Sequence, residues 1–476
     1  MTLPKNQATI DKTKPEDSIE IHERKIKNYL DNEVLGYAKY VIETRAMPNI
    51  MDGLRVGARK ILWAAMNGDL KKSSKIKMNS LIGDTLKQHY NHGDASLLNT
   101  IIQLCSIHVY KYTPLEALGQ IDDLRGKCDT APRYLHIRKT KYLDFFTYDK
   151  ELLQLVIDDG DKVEPKYFLP IIPISLLWRT NSPGFGFSYR CFSYDLNGII
   201  DNCIKAINTG TCNNDVDMIQ LIPHIVGIKQ ENIIYNGNKD SWYNVGEYVL
   251  NFDADILTIT DLPFDISFEK FEEHLQSLVE KNYIIKFTNY SQDGNIKYLI
   301  SFARGRLKIL SNDQWKFFQT MKLFSKIKKD TLNCIDQDGK TMLFFQSPYE
   351  LIDCFVRKRL IFYQERKTKT VANLKAEIKI LEDKIKFIGL VIGEQLVVNN
   401  RPINAIKIDL DKNELPHDVL KMNISKLTKD EIQEMTDEIV NKKDYLNYIQ
   451  NSTIQEMYVR DLVDFKERFS EVKILN

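Results

Sequence analysis

Residues 26–66 read IKNYLDNEVLGYAKYVIETRAMPNIMDGLRVGARKILWAAM. The apolar positions of IKNYLDNEVLGYAKYVIETRA, and again those of ARKILWAAM, fall at helical spacing, and the second run breaks at Asn67-Gly68. KKSSKIKMNSLIGDTLKQHY follows, and after NHGDAS comes LLNTIIQLCSI, so Ile21 to Ile107 is predicted as a series of short helices. Between Lys71 and Lys77 four lysines flank two serines, and Arg55, Arg59, Lys60 and Lys87 lie on the neighbouring helices. A charge run is ordinarily a solvated face. Short helices with a basic loop also fit a helix-turn-helix or winged-helix DNA reader.

Outward from this block the texture changes twice. From Val156 to about Phe345 TITDLP, YIIKFTNY and KYLISFA are strand-like, with Asp293-Gly294 as a hairpin signal. Beyond it Val371, Leu374, Ile378, Leu381, Ile385, Ile388 and Ile392 alternate spacings of three and four, which is a coiled-coil seam. A second helix opens on the capping box Thr428–Glu431 and carries Ile432, Met435, Ile439, Leu446 and Ile449. Two such helices with a compact tip predict an antiparallel arm, used either for internal packing or, as we expect, for dimerisation.

Composition narrows the function classes. The formal net charge of the 476 residues is only +1, so a nucleic-acid partner needs locally clustered base. The 7 cysteines are scattered without a C-x-x-C pair, which argues for reduced thiols in a cytoplasmic compartment and against a zinc site. The polar N-terminus suggests a disordered leader, and the proline-broken FLPIIPISLLW is too short to span a bilayer, so no membrane role is expected. Neither G-x-x-x-x-G-K-[ST] nor G-x-G-x-x-G after a strand occurs. Asp158-Asp159-Gly160-Asp161 reads as a polar loop. Asp253-Ala254-Asp255 enters a strand but lacks a third carboxylate, so no metal site is expected.

Residues 130–140 read TAPRYLHIRKT, a tyrosine between an arginine and a basic run. With the opening block, this stretch resembles the DNA breakage-reunion subunit of type IIA DNA topoisomerases, most closely the medium-subunit type of T-even bacteriophages. Arg45, Ala46, Pro48, Asp52, Gly53, Leu54, Arg59 and Lys60 meet R-A-[LI]-P…D-G-[LF]-K-P-x-x-R-[RK]. YNHGDASL resembles Y-H-H-G-[ED]-x-S-[LV], and VEPKYFLPIIP resembles I-E-P-x-x-Y-[LI]-P-[IL]-[LI]-P. ILTITDLP resembles I-x-I-T-E-L-P, and Phe355–Arg366 resembles F-x-x-x-R-L-x-x-Y-x-x-R-K. The blocks keep their order across nearly the whole chain. Two depart from the pattern. Arg55-Val56 replaces Lys-Pro, and LWRTNSPGFGF stands where V-N-G-x-x-G-I-x-x-G is usual. Counted from Pro173, Pro183 falls on the isoleucine that wedges between base pairs, and it reads equally well as a turn proline before Gly184.

The resemblance implies an α+β multidomain fold. Residues 1–20 would be the leader and 21–150 a winged-helix domain with the catalytic tyrosine. Residues 151–345 would form a mixed α/β tower, and 346–476 a long antiparallel coiled-coil arm with a small helical dimerisation tip. It implies Tyr134 as nucleophile, with Arg133 and Arg45 neutralising charge on the phosphate. Arg55, Arg59, Lys60, Lys75, Lys77, His92, Ser96 and Pro183 would contact double-stranded DNA. A phenol, with a pKa of about 10, is both a fair nucleophile and a fair leaving group, which suits reversible transesterification. Mg²⁺ and ATP are expected on a separate ATPase and metal-binding subunit, with which a homodimer of this chain forms a heterotetramer. In a phage-infected cell that places it in the host cytoplasm. The alternative is a non-catalytic DNA-binding scaffold of the same fold.

Overall fold

The structure is a computed structural model that describes residues 26–90, 93–107, 109–121, 130–211, 219–225, 227–239, 241–292, 295–398, 400–422 and 428–470. The expected leader, residues 1–20, lies outside them. No helix among the described residues is long and apolar enough to cross a membrane.

The main hydrophobic cluster gathers residues from distant parts of the chain. Ile50, Ile61 and Leu62 meet Phe168, Ile171 and Ile174, then Ile199, Leu351 and Phe355, and finally Tyr458 and Phe465. It therefore crosses the expected boundaries at residues 150 and 345. Helices Val56–Asn67, Met78–Leu86 and Asp94–Cys105 supply one side of it. Gly68 ends the first of these, as the sequence predicts. A three-stranded antiparallel sheet lies beside them, with His136–Lys139 between Ile76–Lys77 and Leu115–Leu118.

A second cluster lies within residues 245–323. Its four-stranded antiparallel sheet runs Tyr248–Asn251, Ile256–Ile259, Tyr298–Ser301, Lys286–Asn289. Alternation sets the buried face: Leu257, Ile259, Tyr298 and Ile300 pack under Phe271, Leu275 and Leu278 of helix Phe268–Glu280. Asp293-Gly294 falls outside the described residues, yet the strands flanking it pair antiparallel as expected. Asp253 and Asp255 lie in a turn before Ile256, not on a strand face. Asp255 has φ +50°, and its carboxylate accepts the Gly305 N–H at 2.9 Å.

The long helix Pro348–Ile392 has 45 residues and extends about 68 Å at 1.5 Å per residue. Ser347 caps it by accepting the Glu350 N–H. Its first turns belong to the main cluster, through Leu351, Ile352, Phe355 and Val356. Farther out, Ile378, Leu381 and Ile388 pack on Met435 and Ile439 of the returning helix Lys429–Asn451. Lys367 reaches Gln450 and Ser452, and Lys442 reaches Glu377, so the two run antiparallel. Ile378, Leu381 and Ile388 of the seam are thus covered within the chain, in the antiparallel arm expected, which removes these three from the expected contact between two chains, while Ile392 stays exposed. Helix Ile454–Ser470 turns back into the main cluster through Tyr458, Leu462, Phe465 and Phe469, so the expected arm segment 346–476 is not arm throughout. A small cluster of Phe387, Leu396, Ile406, Leu410, Leu415 and Val419 closes the tip.

Candidate active site

Ala131-Pro132 turns the chain into one 3₁₀ turn, Pro132–Tyr134, in which the Tyr134 N–H donates to the Ala131 carbonyl at 3.0 Å. The strand after it is anchored by alternate residues, because Leu135 and Ile137 are buried. Gly119, at φ +119°, clears the way for Leu135: a Cβ there would stand 2.8 Å from its side chain. The Leu135 carbonyl accepts the Met78 N–H at 3.0 Å, and Lys77 pairs with His136. Tyr134 is thereby turned outward, 70% exposed, on a tightly held backbone. The Arg133 guanidinium lies over its ring at 5.6 Å. Lys75 and Lys77 are exposed on the adjoining segment. Arg138 is engaged by a two-bond fork to Glu116, at 2.6 and 2.7 Å.

The remaining candidates separate into three groups. Arg45 is exposed at the end of the N-terminal helical segment, beside Ala46 and Met47, against which Gly184 packs. Gly184 follows Pro183, the exposed last residue of strand Thr180–Pro183, which pairs with Ser188–Cys191. The tip of this hairpin also presents Phe185, 48% exposed, with its ring edge-on to Tyr37 at 6.0 Å. Sequence reasoning passed over Phe185, although it is the apolar residue between the two turn glycines. Arg55 lines a narrow cavity with Tyr110 and Trp178, whose rings stack at 4.6 Å. Burial pushes the Tyr110 phenol up, while Arg55 pulls it down. Ser96 is exposed in helix Asp94–Cys105. His92 lies outside the described residues.

Arg59 and Lys60 are not on this surface, which corrects their expected DNA contact. Arg59 donates to the two oxygens of Asp52 at 2.7 and 3.0 Å and to the Leu54 carbonyl at 3.1 Å. Asp52, fully buried, also accepts the N–H groups of Leu54 and Phe168. Lys60 donates to Glu164 at 2.7 Å and to the Gln88 carbonyl. A buried cation without a partner is prohibitively costly, so these two must face carboxylates rather than solvent. Other blocks of the resemblance are used in the same way. Arg359, wholly buried, holds Asp149 and the Pro170 carbonyl, and Asp461 accepts from Tyr363 at 2.8 Å and Arg366 at 2.6 Å. Gly53, at φ +67°, touches the backbone of Ser175 so closely that any Cβ would collide.

Among the described residues, one set has metal-ligand spacing: His89, Asp158 and Asp159. The His89 nitrogens lie 3.3 Å from Asp158 and 3.5 Å from Asp161. The acidic loop read from the sequence thus faces an imidazole. It stands beyond the far end of helix Met78–Leu86 from Lys77, about 13 Å along the axis.

Residues 45–465 match the model of the family described as the A-type chain of DNA gyrase/topoisomerase IV. DNA topoisomerase 2 of Plasmodium falciparum is 26% identical across 94% of this chain and 35% of its own length. The DNA topoisomerase medium subunit of Enterobacteria phage T4 is 22% identical across 94% of this chain and 100% of its own. The DNA-binding, cleavage and re-ligation domain of Plasmodium falciparum topoisomerase II has the same fold, with a TM-score of 0.73 at 24% identity, covering 93% of this chain and 65% of that one. The chain thus spans about a third of the length of the Plasmodium relative and the whole of the phage one.

Proposed function

The chain belongs to the DNA gyrase/topoisomerase IV family, to its A-type chains, and from that premise we propose that it cleaves and rejoins DNA as part of an ATP-dependent type IIA topoisomerase. The observation that carries the reading is the exposed Tyr134 beside Arg133, on a backbone whose neighbours are buried. The Tyr134 hydroxyl oxygen attacks a phosphodiester phosphorus. A phosphotyrosyl bond forms, the bond to one deoxyribose oxygen breaks, and the phenolic proton ends on the released sugar hydroxyl. The reverse attack restores the strand. Arg133 and Arg45 neutralise the non-bridging oxygens as charge builds. Lys75 and Lys77 hold neighbouring phosphates, and Arg55, Ser96 and His92 add contacts to the duplex. Pro183 wedges between base pairs, with the Phe185 ring next to it.

In this reading residues 21–150 act as the winged-helix domain, 151–345 supply the tower, and the paired helices of 346–476 form the arm and gate. Two copies, related by a twofold axis, cut both strands. Their contact is the arm tip, where Val397, Ile403 and Ile408 remain more than half exposed next to the tip cluster. The isolated chain is therefore expected to sediment as a dimer.

A divalent cation at the cleaved phosphate would stabilise the departing charge. The described residues around Tyr134 do not fit one. Among them Glu116, across the sheet, is committed to Arg138, and Arg133, Lys75 and Lys77 are cations. Mg²⁺ and ATP would be held by a separate ATPase and metal-binding subunit.

The test is a covalent-adduct assay on duplex DNA with that subunit, Mg²⁺ and ATP supplied. Wild-type chain should form the adduct and relax DNA, and Tyr134→Phe should bind the duplex but do neither. Binding without adduct by the wild type would favour the scaffold reading. Efficient relaxation by this chain alone would contradict the separate subunit.

A further inference from the structure

Asp158-Asp159-Gly160-Asp161 carries three carboxylates in four residues. It forms the turn between strands Leu155–Asp158 and Asp161–Pro165, so Asp158 and Asp161 stand directly opposite each other. Like charges in that position repel. No lysine or arginine among the described residues comes within salt-bridge distance of any of the three. Lys87 and Lys60, on the helical side, are held instead by Asp84 at 3.0 Å and Glu164 at 2.7 Å.

What faces the carboxylates is the imidazole of His89, from a separate segment. One ligand atom from each of His89, Asp158 and Asp159 lies within 4.8 Å of the other two. His89 Nδ1 is 3.3 Å from Asp158 Oδ2. That is long for an N–H···O bond, and it matches the edge of a coordination tetrahedron, about 3.4 Å for ligands about 2.1 Å from the ion. Nε2, across the ring, is 3.5 Å from Asp161 Oδ2. A metal-bound imidazole is arranged in this way, ligating through one nitrogen and turning the other N–H to a carboxylate. The two segments are fixed together close by, because the Lys60 ammonium donates to both the Gln88 carbonyl and Glu164. One residue before His89, the Gln88 side-chain oxygen is buried without a hydrogen-bond partner, an acceptor that the protein itself leaves unused. The fold thus assembles the donor set without help from an ion.

We propose that His89, Asp158 and Asp159 bind one divalent cation of the Zn²⁺ class, with Asp161 orienting the imidazole. One imidazole nitrogen and two carboxylate oxygens suit zinc or cobalt. Mg²⁺ prefers oxygen ligands and gives up its waters reluctantly, so it is disfavoured here. Three protein ligands leave a fourth position for water, on the side where Asp159 is exposed. The ion relieves the repulsion across the turn and staples the chain before Tyr90 to the hairpin. The site involves no DNA, so it stands or falls apart from the Tyr134 reading.

The experiment titrates Co²⁺, as a visible probe for zinc, into the chelator-treated full chain and follows its d–d absorption, with Zn²⁺ as competitor. Wild type should take up one equivalent, show the strong bands of a four-coordinate site, and lose them to Zn²⁺. His89→Asn and Asp159→Asn should each abolish the bands. Both positions have positive φ, +53° and +46°, which asparagine adopts readily, so the metal-free variants should unfold at the wild-type temperature. Asp161→Asn should keep the bands and weaken binding by about 10–100-fold. Bands of equal strength in wild type and His89→Asn, as from cysteine ligation, would overturn the site. So would a wild type without bands, or displacement of Co²⁺ by equimolar Mg²⁺.

Discussion

Two regions built from the same motif vocabulary are used in opposite ways. Around Asp52, Arg59, Lys60 and Glu164, and again around Asp149, Arg359 and Asp461, the charged residues are interior and close on each other. At Arg133-Tyr134 the same kinds of side chain face solvent, and Tyr134 is 70% exposed. The interior pairs join segments far apart in sequence: Lys60 to Glu164, Arg359 to Asp149, Arg366 to Asp461. They fix which segments meet, whereas the exposed corner is held by its own buried neighbours, Leu135 and Ile137. A cation within a shared motif is therefore a scaffold part or a phosphate contact according to its burial, and the motif alone does not say which.

The comparison is broken most readily at Arg59. Arg59→Ala leaves Asp52 buried and unpaired, and should destabilise the chain by about 3–5 kcal/mol. Denaturant unfolding measures this. If Arg59→Ala and Arg133→Ala unfold at the same denaturant concentration, the distinction between interior and corner fails. Arg133→Ala should instead slow adduct formation by about 10²–10³-fold, the loss of about 3 kcal/mol of transition-state stabilisation. Its stability should stay within about 0.5 kcal/mol of wild type. A normal rate of adduct formation would remove Arg133 from the chemistry.

Smaller effects sharpen the contrast. Lys75→Gln with Lys77→Gln should reduce the salt slope of duplex binding by about 2 without shifting the unfolding midpoint, whereas Lys60→Gln should shift the midpoint. Smallest is a local acid effect at an exposed turn. The Asp338 carboxylate accepts from the Thr341 hydroxyl and the N–H groups of Thr341 and Lys340, which hold its pKa down at about 2. A pKa depressed on folding gives stabilisation that is present above the unfolded value of about 3.9 and lost as pH falls through about 2. The Thr341 amide resonance should titrate with a midpoint near 2, while the main cluster stays protected from exchange.

The sequence disclosed the elements more fully than their contacts. The helix break at Gly68, the strands around residues 256–301 and the Thr428 cap follow from local periodicity and turn chemistry, and the Glu431 N–H does donate to Thr428, at 3.2 Å. The heptad spacing of Ile378, Leu381 and Ile388 was equally plain. Their packing on Met435 and Ile439 of the returning helix is the antiparallel pairing that the sequence suggested, although spacing alone does not tell how much of the seam is left for a second chain. Arg59 and Lys60 were misplaced for a related reason: their carboxylate partners lie 7 residues before and 104 residues after them. Tyr134 was singled out through the resemblance of TAPRY to a family pattern, and the structure adds that it is exposed beside Arg133.

The central claim is that Tyr134 carries the DNA. The most direct measurement digests the covalent adduct that the wild-type chain forms in the presence of its partner subunit, then maps the nucleotide-bearing peptide by mass spectrometry. The account predicts a phosphodiester on Tyr134, with that peptide unmodified in Tyr134→Phe and no adduct formed. A nucleotide on any other residue, or an undiminished adduct in Tyr134→Phe, would contradict it.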